Sequence, residues 1–451
     1  MKKPTSLREE LNYDKTNRCV QCGYCLPSCP TYLTMGNETH SPRGRINLVK
    51  MAAEGKLQDL SDLAEPLDLC LGCRACEEAC PTGVEYGAIL ESARAALARR
   101  KQVPPLEKTM RDVLFKKVFP SRKAMNAIGH ALWLYEKSGA QQLARKSGLL
   151  KKLPAHLGEF EKILPPAVSP AARARMPRFT PAKGEKKYTV AFFVGCVMDA
   201  LFHRINRLSI QLLAEAGCDV IVVENQTCCG ALHAHAGEVD DAKNLARRNI
   251  AAFEQHDVDF IVNNAGGCGA MLVEYGLLLK DEPEWQERAK TFAKKTRDIS
   301  QVLVLCGGVK GLEGPYERVT YQPSCHMSYV QKVTREPVQL IKSLPNVELV
   351  EMEEAHLCCG SAGIYNLAHY DASMAILDRK MKHVKATGAT TILTTNPGCL
   401  LQMKLGIERE GLGDRLRAVH LIEYLAERAG FAAENESPAV THSSSATTRT
   451  R

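Results

Sequence analysis

Two short cysteine runs near the start of the chain constrain its fold more than any other feature. The first reads CVQCGYCLPSCP over residues 19–30, and the second reads CLGCRACEEACP over residues 70–81. Both follow the spacing C-x₂-C-x₂-C-x₃-C-P, in which three thiols share a tight loop and the fourth opens the next segment just before a proline. This spacing is typical of a [4Fe–4S] cube, which takes three thiolates from one run and its fourth from the other run.

The crossed pattern divides the eight thiols between two clusters. One cluster is predicted on Cys19, Cys22, Cys25 and Cys80, and the other on Cys70, Cys73, Cys76 and Cys29. Zinc usually takes two C-x₂-C pairs, so triplets that end in Cys-Pro favour iron. Crossed ligands hold two cubes close together, which suits a relay of single electrons. We expect residues 1–98 to form a mainly helical, ferredoxin-like module without a catalytic nucleophile.

The first residues of the chain help to decide whether its 18 cysteines form disulfide bonds or bind metal. The segment MKKPTSLREELNYDK is polar and has neither an apolar core nor a small-residue cleavage site, so it does not read as a secretory signal. Thiols stay reduced in the cytosol, where clustered cysteines indicate metal or redox chemistry. No apolar run approaches the roughly 18 residues of a membrane-spanning helix. We therefore expect a cytoplasmic protein.

A second set of cysteines recurs at a nearly constant interval in the C-terminal half. Cys196 corresponds to Cys325 at an offset of 129, the pair Cys228–Cys229 corresponds to Cys358–Cys359 at an offset of 130, and Cys268 corresponds to Cys399 at an offset of 131. A drift of one residue per segment is what duplication with small loop insertions leaves behind. The sequence thus predicts two repeated domains, at 188–300 and 301–433.

Each repeated cysteine follows an apolar, strand-like segment, and helical patterns separate these segments. Such alternation favours a parallel sheet, whose ligands gather at the carboxyl ends of its strands. Each repeat is therefore predicted to be an α/β domain with one four-thiol site, and glycine after each Cys-Cys pair lets the backbone turn tightly. Ordinary buried cysteines would not recur in pairs with this spacing. The predicted ligands are Cys196, Cys228, Cys229 and Cys268 in the first repeat and Cys325, Cys358, Cys359 and Cys399 in the second.

Two other regions differ in composition from these domains. Residues 99–187 carry 21 Lys and Arg against 6 Asp and Glu, a balance of +15, whereas the whole chain carries +8. This basic segment, which ends in a Pro-rich linker, is either a solvated connector or a docking surface for an acidic partner or an anionic membrane face. Residues 434–451 are rich in Ser and Thr and are predicted to be a disordered tail.

The two cysteine runs followed by two CCG repeats resemble the glycolate oxidase iron–sulfur subunit family. The segments CVQCGYCLPSCPTYLTMGNETHSPRGRI, HLCCGSAGIYNL and NPGCL carry the likeness, which spans roughly residues 10–430. The resemblance implies an oxidoreductase of the glycolate dehydrogenase type. In it, this chain takes electrons from an FAD-containing subunit that oxidises glycolate to glyoxylate and passes them toward the membrane quinone pool. A peripheral position on the inner face of the cell membrane follows.

One departure bears on the CCG sites. Related domains of the heterodisulfide-reductase type end in C-x-x-C, but Cys268 is followed by GAM and Cys399 by LLQ, which leaves four thiols per site. An ordinary [4Fe–4S] cube, another small cluster and zinc all remain open there. The chain shows no G-x-G-x-x-G after a strand, no phosphate loop and no catalytic triad, so we predict no catalytic residue and no nucleic-acid partner.

Three other functions are possible, and several residues outside the predicted ligand sets need an interpretation. The same subunit could serve lactate or glycerol-3-phosphate oxidation, or the chain could itself be a heterodisulfide-type reductase. Cys218 and Cys306 are expected to be structural. Arg43 and Arg45 could raise a cluster's potential, although a turn and a solvated helix start are slightly favoured for SPRGRINLVK. One of the histidines near the CCG sites could tune or cap a cluster, but structural roles are expected for them: His233, His235, His326 and His356.

Overall fold

The N-terminal module is built from short helices that the cysteine loops interrupt. A computed structural model describes residues 6–57, 59–100, 104–153 and 156–431. Pro30 and Pro42 each occupy the first turn of a helix, where the missing N–H costs nothing. The described residues of the module contain no strand. Its helices are Leu7–Glu10, Tyr13–Thr16, Pro30–Met35, Pro42–Ala53, Ala64–Asp68, Ala75–Glu78 and Tyr86–Arg100, with 3₁₀ turns at Glu38–His40 and Leu60–Leu63.

The basic segment is also helical in its described part. Its helices are Pro105–Asp112, Arg122–Lys137, Ala140–Lys146, Leu157–Lys162 and Pro170–Ala174, with a π-helical turn at Val113–Val118 and a 3₁₀ turn at Leu149–Lys152. The predicted linker contains regular structure, because Phe179–Thr180 forms a strand, β1, that pairs with the first sheet. No helix among the described residues has both the length and the apolar character needed to cross a bilayer.

The first repeat is a parallel sheet to which β1 adds an antiparallel edge. Its strands run in the order β1-β3-β2-β4-β5. They are β2 (Tyr188–Phe192), β3 (Cys218–Val222), β4 (Phe260–Asn263) and β5 (Thr296–Asp298). The helices are Val197–Leu201, His203–Glu215, Ala231–His235, Val239–Phe253, Gly266–Val273, Tyr275–Leu278, Pro283–Lys295 and Ile299–Leu305. The predicted boundary at 300/301 falls inside the last of these helices, so this domain extends past it.

The second repeat has the same topology without the extra edge strand. Its four parallel strands run in the order β7-β6-β8-β9, which matches β3-β2-β4-β5 of the first repeat. They are β6 (Glu317–Gln322), β7 (Val347–Leu349), β8 (Thr391–Thr394) and β9 (Arg417–His420). The helices are Cys325–Tyr329, Arg335–Lys342, Tyr365–Ala368, Tyr370–Ala386, Pro397–Arg409 and Leu421–Arg428. The predicted pair of α/β domains with parallel strands is confirmed, and the predicted tail at 434–451 lies outside the described residues.

The two repeats pack against each other through related helices. Helix His203–Glu215 of the first contacts Leu421–Arg428 of the second, and Ile299–Leu305 of the first contacts Arg335–Lys342 of the second. Because these are the same two helix positions with their roles exchanged, the interface has approximate two-fold symmetry. One continuous apolar core runs through both sheets.

The N-terminal module lies across both repeats. Helix Tyr86–Arg100 contacts Ala231–His235 of the first repeat, whereas Pro30–Met35 contacts Tyr370–Ala386 and Ala75–Glu78 contacts Cys325–Tyr329 of the second. The last contact matters for the sites, because it brings the second cysteine run next to a repeated cysteine.

Candidate iron–sulfur sites

The two cysteine runs of the module fold into loops of matching conformation. The third residue of each run has a left-handed backbone, with φ of +59° at Gln21 and +61° at Gly72. The fifth residue does the same, with φ of +88° at Gly23 and +63° at Arg74. Glycine adopts this conformation easily, so one glycine per loop lowers the backbone strain of turning three thiols toward one space.

The first cluster site comprises the four thiols predicted for one cube. They share a cavity whose remaining walls are largely apolar, with Ile46 and Val84 among its lining residues. Cys80 comes from the second run and reaches the thiols of the first run, as the crossed pattern requires. The backbone N–H of Val84 donates to the Cys80 Sγ at 3.5 Å. The predicted members of this site are Cys19, Cys22, Cys25 and Cys80, and Cys76 of the second run lines the same cavity.

The second cluster site is more deeply buried. Burial and then the neighbouring Cys73, Cys70 and Cys29 thiols raise the pKa of Cys76, so Cys29 of the first run lies among thiols of the second. The structure thus brings together the two crossed sets that the spacing predicted. The members of this site are Cys29, Cys70, Cys73 and Cys76.

Arg45 lies beside the second cluster site and is only 1% exposed. Its guanidinium donates to the Pro66 carbonyl at 2.6 Å, and its Nη1 is 4.0 Å from the Cys29 Sγ. Burial alone would lower the pKa of Arg45, but nearby sulfur, above all that of Cys70, raises it. The sequence interpretation slightly favoured a solvated helix start, which was wrong for Arg45, because this side chain faces the thiols. Arg43 pairs with Glu38 and lines the cavity of the first cluster site.

Each repeat gathers its four predicted thiols at the carboxyl edge of its sheet. In the first repeat the Cys196 and Cys228 Sγ atoms are 3.4 Å apart, and Cys229 lies close enough to Cys228 and Cys268 for both thiols to act on its pKa. In the second repeat Cys325 and Cys358 are neighbours in the same way, and Cys359 lies close enough to Cys358 and Cys399 for both thiols to act on its pKa. We call these groups the repeat-1 site and the repeat-2 site.

The glycine after each Cys-Cys pair has a steric role. Gly230 and Gly360 adopt φ of +91° and +93°, which side chains disfavour. A Cβ on Gly360 would also lie 2.8 Å from the Ser373 carbonyl oxygen. The glycine of each CCG motif therefore allows a tight left-handed turn at the sheet edge.

The four sites form a connected series. Cys73 and Cys325 pack against one small apolar cluster formed by Leu71, Cys358, Tyr365 and Ile376. Asn396 then links the two repeats, because its Oδ1 accepts from the Gly267 N–H at 3.0 Å and its Nδ2 lies 3.5 Å from the Cys399 Sγ. Sequence reasoning missed both links, since neither leaves a motif.

The donor chemistry of these sites fits thiolate-bound metal. Four thiolates buried together repel one another and lose hydration, so they require a positively charged partner. Hydrogen-bond donors already point at the sulfurs, including the Gly72 N–H and the Tyr86 hydroxyl, each 3.4 Å from the Cys70 Sγ. As placed, no three His, Cys, Asp or Glu side chains in the described ranges form a site for a single metal ion.

The remaining sequence candidates lie outside these thiol groups. His233 Nε2 contacts the Phe115 carbonyl oxygen at 2.7 Å, and His326 Nε2 contacts that of Gly72 at 3.2 Å. His235 stacks on His326 at 5.1 Å between ring centroids, and the backbone oxygen of His356 accepts from Tyr329. Cys218 and Cys306 are buried with their Sγ atoms 3.6 Å apart.

Comparisons with known proteins agree with this arrangement. Residues 15–84 match the family described as a 4Fe-4S dicluster domain, and residues 190–273 and 319–404 match the cysteine-rich CCG domain. Residues 106–164 match the linker region of the glycolate oxidase iron–sulfur subunit. One CCG match falls within each of the two predicted repeats, and the linker match falls within the basic segment.

Individual relatives give the same result over most of the chain. A probable glycolate oxidase iron–sulfur subunit of Bacillus subtilis is 50% identical over 427 residues, covering 94% of this chain and 96% of the relative. The glycolate oxidase iron–sulfur subunit of Escherichia coli is 30% identical, covering 84% of this chain and 88% of the relative. Lactate utilization protein A of Halalkalibacterium halodurans is 34% identical but covers only 52% of this chain. The chain belongs to the family of glycolate oxidase iron–sulfur subunits.

Proposed function

We propose that this chain is the electron-transfer subunit of a flavin-dependent complex that oxidises glycolate to glyoxylate. The main support for the proposal is the identity of 50% with a probable glycolate oxidase iron–sulfur subunit over 94% of the chain. Substrate oxidation would occur on an FAD-containing partner. Electrons would leave toward the membrane quinone pool, and this chain would supply no catalytic residue of its own.

We assign the first and second cluster sites to [4Fe–4S] clusters and the two repeat sites to a further iron–sulfur cluster or zinc. Clusters bound there would accept and release electrons one at a time. The chain's own residues hold them through thiolates, exclude water with apolar walls, and place positive charge and N–H donors against the sulfurs. At the second cluster site Arg45 supplies positive charge beside the Cys29 Sγ, and the Tyr86 hydroxyl donates to the Cys70 Sγ.

Lactate oxidation is the second candidate, because proteins named lactate utilization protein A are about one-third identical. They match only about half of this chain, whereas the glycolate oxidase subunits match most of it. That difference favours glycolate. A glycerol-3-phosphate complex and a heterodisulfide-type reductase have no comparable support.

Deletion of the gene tests the assignment. Growth on glycolate should stop while growth on lactate and on glycerol-3-phosphate continues, and a tagged copy should purify with an FAD-containing subunit. Glycolate oxidation that survives the deletion would contradict the proposal, and loss of growth on lactate alone would favour the second candidate.

We further propose that the complex attaches peripherally to the membrane through its basic segment. Of the 17 large hydrophobic residues that are exposed in the described part of the chain, 10 lie between residues 106 and 157. Leu106, Met110, Val113 and Leu114 follow the spacing of one helix face and are 74%, 58%, 48% and 42% exposed. Apolar residues among lysines suit an anionic bilayer surface.

Replacing Leu106 and Met110 together by serine should weaken binding to anionic vesicles by about tenfold or more, because each inserted side chain contributes on the order of 1 kcal/mol. Vesicle flotation measures this. Leu277→Ser is the matched control, since the Leu277 side chain is exposed as well, at 54%, but lies outside the basic segment. High salt should release the wild-type protein. Unchanged binding of the double variant would argue against this surface.

A further inference from the structure

A cavity lies where the module and both repeats meet. It is lined by Gly72 and Arg74, which flank Cys73, by Gly267, which precedes Cys268, and by His326, which follows Cys325. The cavity therefore lies between the second cluster site, the repeat-1 site and the repeat-2 site. No sequence motif marks it, and none of its lining residues is among the proposed ligands.

Glu91 lines this cavity from helix Tyr86–Arg100 and is partly buried. Its carboxylate makes no hydrogen bond or ion pair with any described residue. The two other carboxylates nearby differ in this respect. Arg74 pairs with Glu77 at 2.7 Å and also pairs with Glu274, so both of these carboxylates have a fixed positive partner.

The charged and titratable groups around Glu91 come from every element that packs against the cavity. Arg94 lies one turn along the same helix and donates to the Cys70 and Leu67 carbonyl oxygens. Arg74 and Glu77 come from the second cysteine run and its helix, and Glu274 from the end of helix Gly266–Val273. His235 comes from the first repeat, and His326 from the second.

These surroundings make Glu91 the group that titrates near neutral pH. Burial and the Glu274 carboxylate raise the pKa of Glu91 to about 7, although Arg74 and Arg94 oppose this shift. Burial lowers the pKa of His235 to about 3 and that of His326 to about 4, so both rings are neutral at pH 7.

We propose that Glu91 is a proton-uptake site coupled to reduction of the clusters around this cavity. The inference rests on the proposed electron-transfer function. An electron that arrives from a reduced flavin adds one negative charge beside the cavity, and the Glu91 carboxylate binds one proton from water to become a neutral carboxyl. On reoxidation the electron leaves and the proton returns to water, so charge balances in both directions.

The sign of the pH dependence follows from linkage. Well below the pKa of Glu91 the carboxyl is protonated in both redox states, and the potential does not change with pH. Above that pKa, reduction is accompanied by uptake of a proton from solvent, so the potential falls as pH rises. At still higher pH the carboxylate is ionised in both redox states, and the potential again does not change with pH. Reciprocally, reduction raises the pKa of Glu91.

The test is an equilibrium redox titration of the anaerobic, cluster-loaded protein, followed by electron paramagnetic resonance at several pH values. In the wild type, at least one cluster potential should fall as pH rises above neutrality, by at most one proton per electron. Glu91→Gln should abolish the dependence, and Glu91→Asp should restore it. Glu284→Gln, at an exposed position on the first repeat, should behave as wild type.

Redox-difference infrared spectra provide a second readout, since a protonated-carboxyl band should appear on reduction of the wild type and be missing in Glu91→Gln. Wild-type potentials that do not vary with pH would overturn the proposal even if the variant failed to fold. A dependence of equal slope in Glu91→Gln would also overturn it while leaving the electron-transfer function intact. A protein without clusters would instead remove the function on which the inference rests.

Discussion

Replacing Cys73 by alanine is expected to remove one cluster from the module, with a loss of about four iron atoms per chain. Cys73 belongs to the second cluster site, where burial and the Cys325 thiol raise its pKa, and Cys325 is itself a predicted ligand of the repeat-2 site. Because this site lies between the first cluster site and the repeat-2 site, electron transfer through the chain should fail as well. Iron analysis and low-temperature spin resonance measure the loss.

Cys306→Ala is the matched control for this variant. Cys306 is equally free of disulfide bonds and only 4% exposed, but its neighbour is Cys218 and not a predicted ligand group. The control should keep its full iron content and its electron transfer. Full iron content in Cys73→Ala, or an equal loss in the control, would contradict the proposed ligand sets.

Replacing Arg45 by methionine is expected to make the potential of the second cluster more negative. The buried guanidinium stabilises added negative charge, and at an effective dielectric constant near 20 a unit charge about 4 Å away contributes at most about 4 kcal/mol, or roughly 170 mV for one electron. Methionine is of similar length but cannot donate to Thr31 or the Pro66 carbonyl. A potentiometric titration at fixed pH measures the shift.

Arg43→Met separates the buried charge from charge in general. Arg43 lies on the same helix but is paired with Glu38 and partly exposed, so solvent screening should make its effect much smaller. Iron content must first be equal in both variants. Equal shifts in the two variants, or a more positive potential in Arg45→Met, would show that Arg45 does not act through its charge.

Much of this architecture is predictable because it depends on the spacing of cysteines along the sequence. The C-x₂-C-x₂-C-x₃-C runs specify their own loops, and the offsets from Cys196 to Cys325 and from Cys268 to Cys399 record a duplicated sheet. The order β3-β2-β4-β5 recurs as β7-β6-β8-β9. The fold of each repeat and the grouping of its thiols therefore follow from alternating strands and helices.

The relations between domains were not predictable in the same way. The burial of Arg45 depends on the helix packing of the module, and nothing in SPRGRINLVK distinguishes it from a surface helix. The bridge through Asn396 and the cavity around Glu91 depend on how the module docks onto two repeats far apart in sequence. The strand β1 was missed because two residues in a Pro-rich stretch give too short a pattern.

The most direct test of the account is the metal content of the whole chain after anaerobic purification. Chemical analysis of iron and sulfide, with low-temperature spin resonance of the reduced protein, should give two [4Fe–4S] clusters, or about eight iron atoms, from the module, plus any iron held in the repeats. A folded protein that contains no iron and still passes electrons from its partner would contradict the account.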